Sequence, residues 1–318
     1  MNRVLVTGAT GFVGSALCEQ LARGGYQVRA AVRAARQLPD AIAEQVVVGD
    51  IGPSTEWESA LRDVDHVVHA AARAHVMGDS IRNSDQYFAT NAQGTRRLAQ
   101  AAAQSGVRRF LYLSSIKVNG EERTRPYSPA DIPHPQGMYA VSKLSGEEAV
   151  TQAAASGSMQ AAVIRPPMVY GAGVRANFLR LLSWVDRQWP LPLGAVDNRR
   201  SLVSVWNLSS LLTQMLSVDA AVAGTWLVSD MEDLSTPGLI RRLAELMRRR
   251  ARLIPVPESM LRMAGRLTGR SAEVDRLCGS LTVDATKTKQ ELGWSPPLSV
   301  TEGLARTVEW YSSRGRVQ

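Results

Sequence analysis

The sequence predicts an α/β chain: a doubly wound parallel sheet with helices on both faces, followed by a smaller, less regular C-terminal α/β domain. Three observations predict it. Short apolar runs alternate strictly with helical patterns through the first half of the chain. A glycine-rich turn joins the first apolar run to the first helix. The alternation fades after Pro166-Pro167, and residues 167–200 become rich in Pro, Gly and Trp.

VLVTG (4–8) reads as a buried strand. Its helix runs from about Val13 to Arg23 and stops at Gly24-Gly25. QVRAAVR (27–33), QVVVGD (45–50) and DHVVHAAA (65–72) read as the next three strands. A helix over 85–105 carries an apolar stripe and ends at Gly106. RFLYLSS (109–115) is the fifth strand, 138–156 a long helix, and AAVIRP (161–166) the sixth strand. Strands joined through helices in this way make right-handed crossovers, which coat both faces of one sheet. Further on, AGTWLVSD (223–230) reads as a strand, Arg-rich helices follow, and 292–311 close the chain with a loop and a helix. Residues 1–166 are expected to form one domain, with about 201–222 returning to it. Residues 167–200 and 223–318 are expected to form the second. No flexible linker separates the two, so a cleft between them is expected.

Composition narrows the class. An apolar content of 45% and a charged content of 21% are ordinary for a soluble globular chain of 318 residues. The net charge is +8, and the excess is local: Arg241 to Arg276 holds ten arginines against four acids. A solvated helical face accounts for that stretch, with an anionic partner or membrane surface as the alternative. Nucleic acid has only net charge behind it and is not expected. Cys18 and Cys278 stand far apart and in no motif; Cys18 reads as a small core residue. No disulfide framework is implied, which fits a reducing, cytoplasmic setting. RVLVTG begins a strand at once, so no signal peptide is read. No apolar run approaches the ~18 residues of a membrane span. No metal site is expected.

TGATGFVG (7–14) places glycines at 8, 11 and 14 between strand and helix. Gly8 permits the tight turn, Gly11 admits a pyrophosphate to the backbone, and Gly14 lets the helix pack on the strand. Phosphates would meet the helix N-terminus across Thr10, Phe12 and Val13. This is the dinucleotide-binding turn of a Rossmann domain. At the end of the second strand an acid would grip a ribose 2′-OH, and an arginine would suit a 2′-phosphate. Arg33 stands there, with Arg29 and Arg36 nearby. The expectation therefore leans to NADP(H), with NAD(H) as the alternative. Asp50, in the GDI that continues to Ile51, is placed to reach the adenine edge.

In YAVSK (139–143), Tyr139 and Lys143 share a helix face. A free tyrosine, with a pKa of about 10, is a poor base at neutral pH. A cation close by lowers that value, and oxidised nicotinamide pushes the same way. Tyr139 is then a general acid/base for an alcohol or carbonyl oxygen, and Lys143 can also hold the nicotinamide ribose.

These motifs, with VVHAAA (67–72), NAQGT (91–95), LSSIKVNG (113–120), RPPMVYG (165–171) and DATKTKQELGWSPP (284–297), span nearly the whole chain. The chain resembles the extended short-chain dehydrogenase/reductases of the sugar-nucleotide epimerase/dehydratase type. The resemblance implies that Ser115, Tyr139 and Lys143 are catalytic. It places Asn91 beside the active site, has Ala70, Ala71, Ala72 and Pro166 line the cofactor, and gives His69 no role as a base. It assigns Asn177 and Arg200 to a substrate diphosphate and puts Lys117 at the pocket edge. Ser204 and Asn207 replace the His and Asp usual in that segment. Dehydratases of this type carry an Asp-Glu pair where Ile116 and Lys117 stand here, so elimination of water is set aside.

What remains is chemistry at C4 of a UDP-sugar. The branch resembled implies 4-keto reduction of a UDP-4-keto-6-deoxy-N-acetylhexosamine to UDP-N-acetylquinovosamine, for surface polysaccharide. A UDP-glucose or UDP-N-acetylglucosamine 4-epimerase with bound NAD is the alternative. A non-catalytic NADP sensor or scaffold is the alternative from another class. Helices 85–105 and 138–156 resemble the pair that forms two-fold dimers, so a homodimer is expected.

Overall fold

The computed structural model describes residues 2–74, 81–155 and 157–314. In chain order the Rossmann half runs β1 (Arg3–Thr7), α1 (Phe12–Arg23), β2 (Gln27–Val32), β3 (Glu44–Val47), α2 (Glu58–Leu61) and β4 (His66–His69). It continues with α3 (Ile81–Phe88), a π-helical stretch (Ala89–Gly94), α4 (Thr95–Gln104), β5 (Arg109–Leu113), α5 (Gly137–Ala155) and β6 (Gln160–Arg165). There follow β7 (Met168–Tyr170), α6 (Ala176–Asp186), β8 (Arg200–Ser204), α7 (Val205–Ser217), β9 (Gly224–Leu227) and β10 (Asp233–Leu234). The chain closes with α8 (Thr236–Leu246), α9 (Glu258–Leu267), α10 (Ser271–Cys278), α11 (Thr286–Leu292) and α12 (Val300–Arg314).

The main sheet has the order β3-β2-β1-β4-β5-β6-β9, every neighbour parallel. Strand order reverses between β1 and β4, which opens a crevice beyond their carboxyl ends. Alternation along β1 divides the core. Val4 and Val6 face α1 and α7, where Leu17, Leu21, Leu208 and Leu212 are buried. Leu5 faces the other side with Leu98, Ala102, Tyr112 and Val150 of α4, β5 and α5. A second core gathers Phe178, Leu182, Leu239, Leu243 and Leu304 around a small sheet of order β10-β8-β7.

Three details depart from the sequence reading. The strand read at 223–230 was placed with the second domain, yet β9 pairs with β6 and forms the seventh strand of the main sheet. The helix read over 85–105 holds a π-helical turn, so its two ends are out of phase with one another. The small sheet was not foreseen, because its strands are only two to five residues long. The last residue of the helix read over 138–156 lies outside the described residues, as do 315–318. Among the described residues no helix is long and apolar enough to cross a membrane.

Candidate active site

The glycine turn lies at the crevice, and its geometry leaves no room for side chains. Gly8 has φ +69°, and a Cβ there would stand 2.8 Å from the backbone nitrogen of Ala71. A Cβ on Gly14 would run into the Gly8 carbonyl. Gly11 donates its N–H to that carbonyl at 2.8 Å and begins α1 without a side-chain cap. The first-turn N–H groups near Phe12 and Val13 are thus available to an anion. Across the crevice, Ala71 N–H donates to Thr7 Oγ1 at 3.1 Å. Thr7 Oγ1 also meets His69 Nδ1 at 2.6 Å, while His69 Nε2 meets Thr95 Oγ1 at 2.9 Å. Burial pushes the His69 pKa down to about 3, with Lys143 pushing the same way. His69 is a neutral strut under the Ala70–Ala72 loop.

At the far end of the crevice the Arg33 guanidinium lies 3.8 Å from the Asp50 carboxylate, and both are exposed. Arg33 is therefore less lone a cation than the sequence suggested. Arg29, its neighbour in sequence, turns away: it is buried and bonds Glu44 and the carbonyls of Ala60 and Arg62. A recess beside the glycine turn is lined by Thr10, Ser15, Arg36 and Leu38. Ile51 packs where Gly94 leaves space, since a Cβ on Gly94 would stand 2.6 Å from its Cγ2.

The reactive groups come from three elements. Ser115 ends the β5 segment and caps the short 3₁₀ turn Ile116–Val118, its Oγ accepting from Lys117 N–H at 3.3 Å. Tyr139 and Lys143 project from successive turns of α5. The Ser115 side chain stands close enough to the Tyr139 hydroxyl to pull its pKa down. Lys143 is buried, its Nζ 4.1 Å from the Tyr112 ring centroid and without a hydrogen-bond partner among the described residues. Asn91 sits in the π-helical turn and joins the crevice loop to α5. Its side chain bonds both backbone groups of Arg73 at 2.8 and 3.0 Å, and Ser142 Oγ at 3.0 Å.

The charge states differ from the sequence expectation. Burial pushes Tyr139 up to about 12; the Ser115 side chain lowers it and Tyr87 raises it. Lys143 itself is pushed down to about 7 by burial, with Glu147 opposing. Desolvation outweighs the mutual help that their spacing suggested, because both groups lie under the same cover. Tyr139 is therefore neutral at pH 7 here, and Lys143 is poised between its two forms.

Sequence reasoning missed the group that anchors this face of α5. Glu147, one further turn on, is buried and accepts from Arg165 at 3.0 Å on Oε1 and 2.5 Å on Oε2. It also accepts from Ser114 Oγ. Arg165 reaches on to Asn119 Oδ1 at 3.0 Å. The signal was present in YAVSKLSGE, where 139, 143 and 147 repeat at four, but an acid at that interval reads equally well as a solvated face.

The candidate substrate residues are each engaged by protein in this structure. Lys117 Nζ pairs with Glu121 at 2.7 Å. Asn177, exposed at the start of α6, accepts from Arg180 at 2.5 Å. Arg200 donates to the carbonyls of Arg276 and Gly279 at 3.0 and 2.8 Å. The Pro166 carbonyl accepts from Ile116 N–H at 3.0 Å. Asn207 and Ser204, the departures noted above, are buried around Asp230: Asp230 accepts from Ser204 N–H, Asn207 Nδ2 and Tyr170 OH at 3.0, 2.7 and 2.7 Å.

The residues present fit a dinucleotide. A cradle that only glycine can line faces an uncapped helix start, and the buried Lys143 amino group lacks a hydrogen-bond partner among the described residues. The comparisons agree. The family model described as "NAD dependent epimerase/dehydratase family" matches residues 4–226. A UDP-glucose 4-epimerase of Vibrio cholerae is 41% identical over 96% of this chain and 94% of its own length. An N-acetyl-alpha-D-glucosaminyl-diphospho-ditrans,octacis-undecaprenol 4-epimerase of Escherichia coli O157:H7 is 26% identical over 97% and 95%. Among solved structures, MoeE5 in complex with UDP-glucose and NAD superposes with a TM-score of 0.80 at 27% identity, covering 100% of both chains. With the glycine turn, the crevice and the matches spanning one continuous fold, the chain belongs to the NAD dependent epimerase/dehydratase family and is an enzyme of the extended short-chain dehydrogenase/reductase type.

Proposed function

We propose that the chain interconverts the C4 epimers of a UDP-hexose, using a retained NAD. The observation that carries this reading is a buried Lys143, without a hydrogen-bond partner among the described residues, one turn of α5 from a Tyr139 whose pKa the Ser115 side chain lowers. The Vibrio cholerae relative supports it at a higher identity than the other comparisons above. The glycine turn and Asp50 would hold the cofactor, with Lys143 donating to its ribose. When bound, the cofactor would supply the acceptor for a hydride from the sugar carbon and the donor for its return. With its own proton first released to solvent under the positive charge of protonated Lys143 and the oxidised cofactor, the Tyr139 phenolate would take the O4 proton as the hydride leaves C4. It gives that proton back to the ketone oxygen when the hydride returns. Ser115 holds the same oxygen in both steps. The keto sugar must offer its other face between the two transfers, and no net oxidation results. Tyr139 at about 12 is in the right form to donate. Accepting a proton requires positive charge nearby, which protonated Lys143 supplies. Arg200 and Asn177 are proposed for the diphosphate, with Lys117 at the pocket edge; each would exchange a protein partner for the substrate. A two-fold dimer and a cytoplasmic location belong to the same proposal.

A specific observation favours a second reading. No acid ends β2, and Arg33 suits a 2′-phosphate. NADPH-dependent reduction of a UDP-4-keto-6-deoxy-N-acetylhexosamine would use the same Ser115, Tyr139 and Lys143. Asp50 beside Arg33 weighs against it, since a phosphate there would compete with a carboxylate. Release and mass measurement of the cofactor from purified protein separates the two. The expected result is stoichiometric NAD with conversion of UDP-glucose to UDP-galactose. An empty site that oxidises NADPH only with the keto sugar establishes the reductase instead.

A further inference from the structure

Helix α9 turns an apolar face to water. Met260, Met263 and Leu267 are 53%, 57% and 81% exposed. Steps of three and four place them on one stripe, with exposed Ala264 between. The other face is anchored: Leu261 packs on the second core, and Gly265 lies against Val274 of α10. A helix held on one side and apolar on the other has two hydrophobic contacts to make, of which the fold supplies one.

The rim of this face is basic. Arg262 draws the nearby acids to itself, pairing with Glu258, Asp275 and Glu122 at 2.8, 2.6 and 3.4 Å. Arg266 and Arg270 stay exposed beside the stripe, in no ion pair among the described residues. Exposed Arg248, Arg250 and Arg252 lead into the helix. Ile254 and Trp189, also exposed, lie on neighbouring segments tied by the Leu191–Leu253 bridge. An exposed indole with apolar and cationic neighbours is the composition of a water–lipid boundary.

We propose that this face of α9 with its arginine rim seats the enzyme on an anionic membrane surface. The Met and Leu side chains enter the boundary between headgroups and acyl chains, and the guanidinium groups meet lipid phosphates while their stems lie along hydrocarbon. Charge complementarity selects the occupant: Arg248, Arg250, Arg252, Arg266 and Arg270 are exposed and in no ion pair among the described residues, which favours an anionic surface over a neutral one. Flexible Met and Leu side chains standing out from a convex helix suit a fluid phase, which needs no shaped pocket. The contact is peripheral and does not depend on which sugar is turned over.

The test is co-sedimentation of the full chain with vesicles of phosphatidylcholine alone and of phosphatidylcholine mixed equally with phosphatidylglycerol. The protein is expected to pellet with the mixed vesicles only, and less as salt rises. Met263→Ser with Leu267→Ser, and separately Arg266→Gln with Arg270→Gln, should each weaken binding about fivefold or more. Both doubles should keep wild-type cofactor content and melting temperature, because these side chains lie outside the crevice and the core. Failure to pellet with anionic vesicles at low salt overturns the proposal. So does pelleting of both doubles at the wild-type level. So does self-association in light scattering that the Met263/Leu267 double abolishes, since the face would then cover a second copy.

Discussion

The hydroxyl of Tyr139 is the atom on which the proposed chemistry turns. Tyr139→Phe keeps the ring and its edge contact with Tyr87, 6.2 Å between centroids, and removes only the proton carrier. Turnover is expected to fall by about 10² to 10⁴ with cofactor content unchanged, measured by sugar interconversion and by absorbance of released NAD. Activity within twofold of wild type would remove Tyr139 from the mechanism. Lys143 gives a prediction of opposite sign for stability. Its folded pKa, about 7, lies below the unfolded value near 10.5. Below pH 7 the unfolded chain gains from a solvated ammonium that the fold buries, so the full penalty applies there. It fades as pH rises from 7 towards 10.5. Lys143→Met should therefore melt higher than wild type, by an amount on the order of a few kcal/mol at pH 6, and be inactive. The gap should shrink by pH 9; a gap that is constant with pH would mean the ammonium is not desolvated. The spacing of Tyr139 and Lys143 was legible in the sequence because four residues always share a helix face. The direction of their pKa shifts was not, since it depends on what covers them. Glu147 was hidden for a related reason: its partner Arg165 lies on β6, and only the packed fold brings the two together.

At the scale of elements, the glycine turn joins local geometry to ligand binding. Gly14→Ala would place a methyl against the Gly8 carbonyl and 2.9 Å from the Ala9 Cα, so α1 must move off β1. The expected outcome is a loss of about 1–3 kcal/mol in stability together with loss of retained NAD, read by thermal melting and cofactor release. A variant that keeps full NAD content would show that the close helix–strand approach is not what shapes the phosphate site. This turn was readable because glycine spacing is a local code. The π-helical turn at 89–94 was not. Its residues carry ordinary helical propensities, and the widening satisfies tertiary demands: Asn91 must reach Arg73 and Ser142, and Gly94 must let Ile51 approach. β9 was found as a strand but assigned to the wrong sheet, because its four residues carry no mark of the partner they pair with.

For the molecule as a whole, the two cores are held together around Asp230, at the end of the segment that leaves β9. The carboxylate takes the Ser204 N–H that starts α7, the Asn207 side chain inside α7, and the hydroxyl of Tyr170 from β7. Asn207 and Tyr170 then reach the carbonyls of Leu298 and Val300 at the start of α12. Ser204 and Asn207, which stand where the resemblance implies a His and an Asp, are thus the means by which the small sheet and the last helix lock onto the main sheet. Asp230 lies in a dry place, and burial raises its pKa while these donors pull it back. Asp230→Ala leaves the buried Ser204 N–H without a partner and removes one hydrogen bond each from Asn207 and Tyr170, which keep the Leu298 and Val300 carbonyls. At about 1–3 kcal/mol for the unsatisfied group and about 1 kcal/mol for each lost bond, the loss should be about 3 kcal/mol or more. If the polar cluster is the junction, calorimetry should show more than a lowered midpoint. The single transition of the wild type should separate into two, with the second core and α12 melting first while NAD still protects the crevice half. A lone transition, shifted by less than 1 kcal/mol, would instead place the coupling in the apolar contact of α12 with β7 and β8, with the carboxylate serving only its local cap.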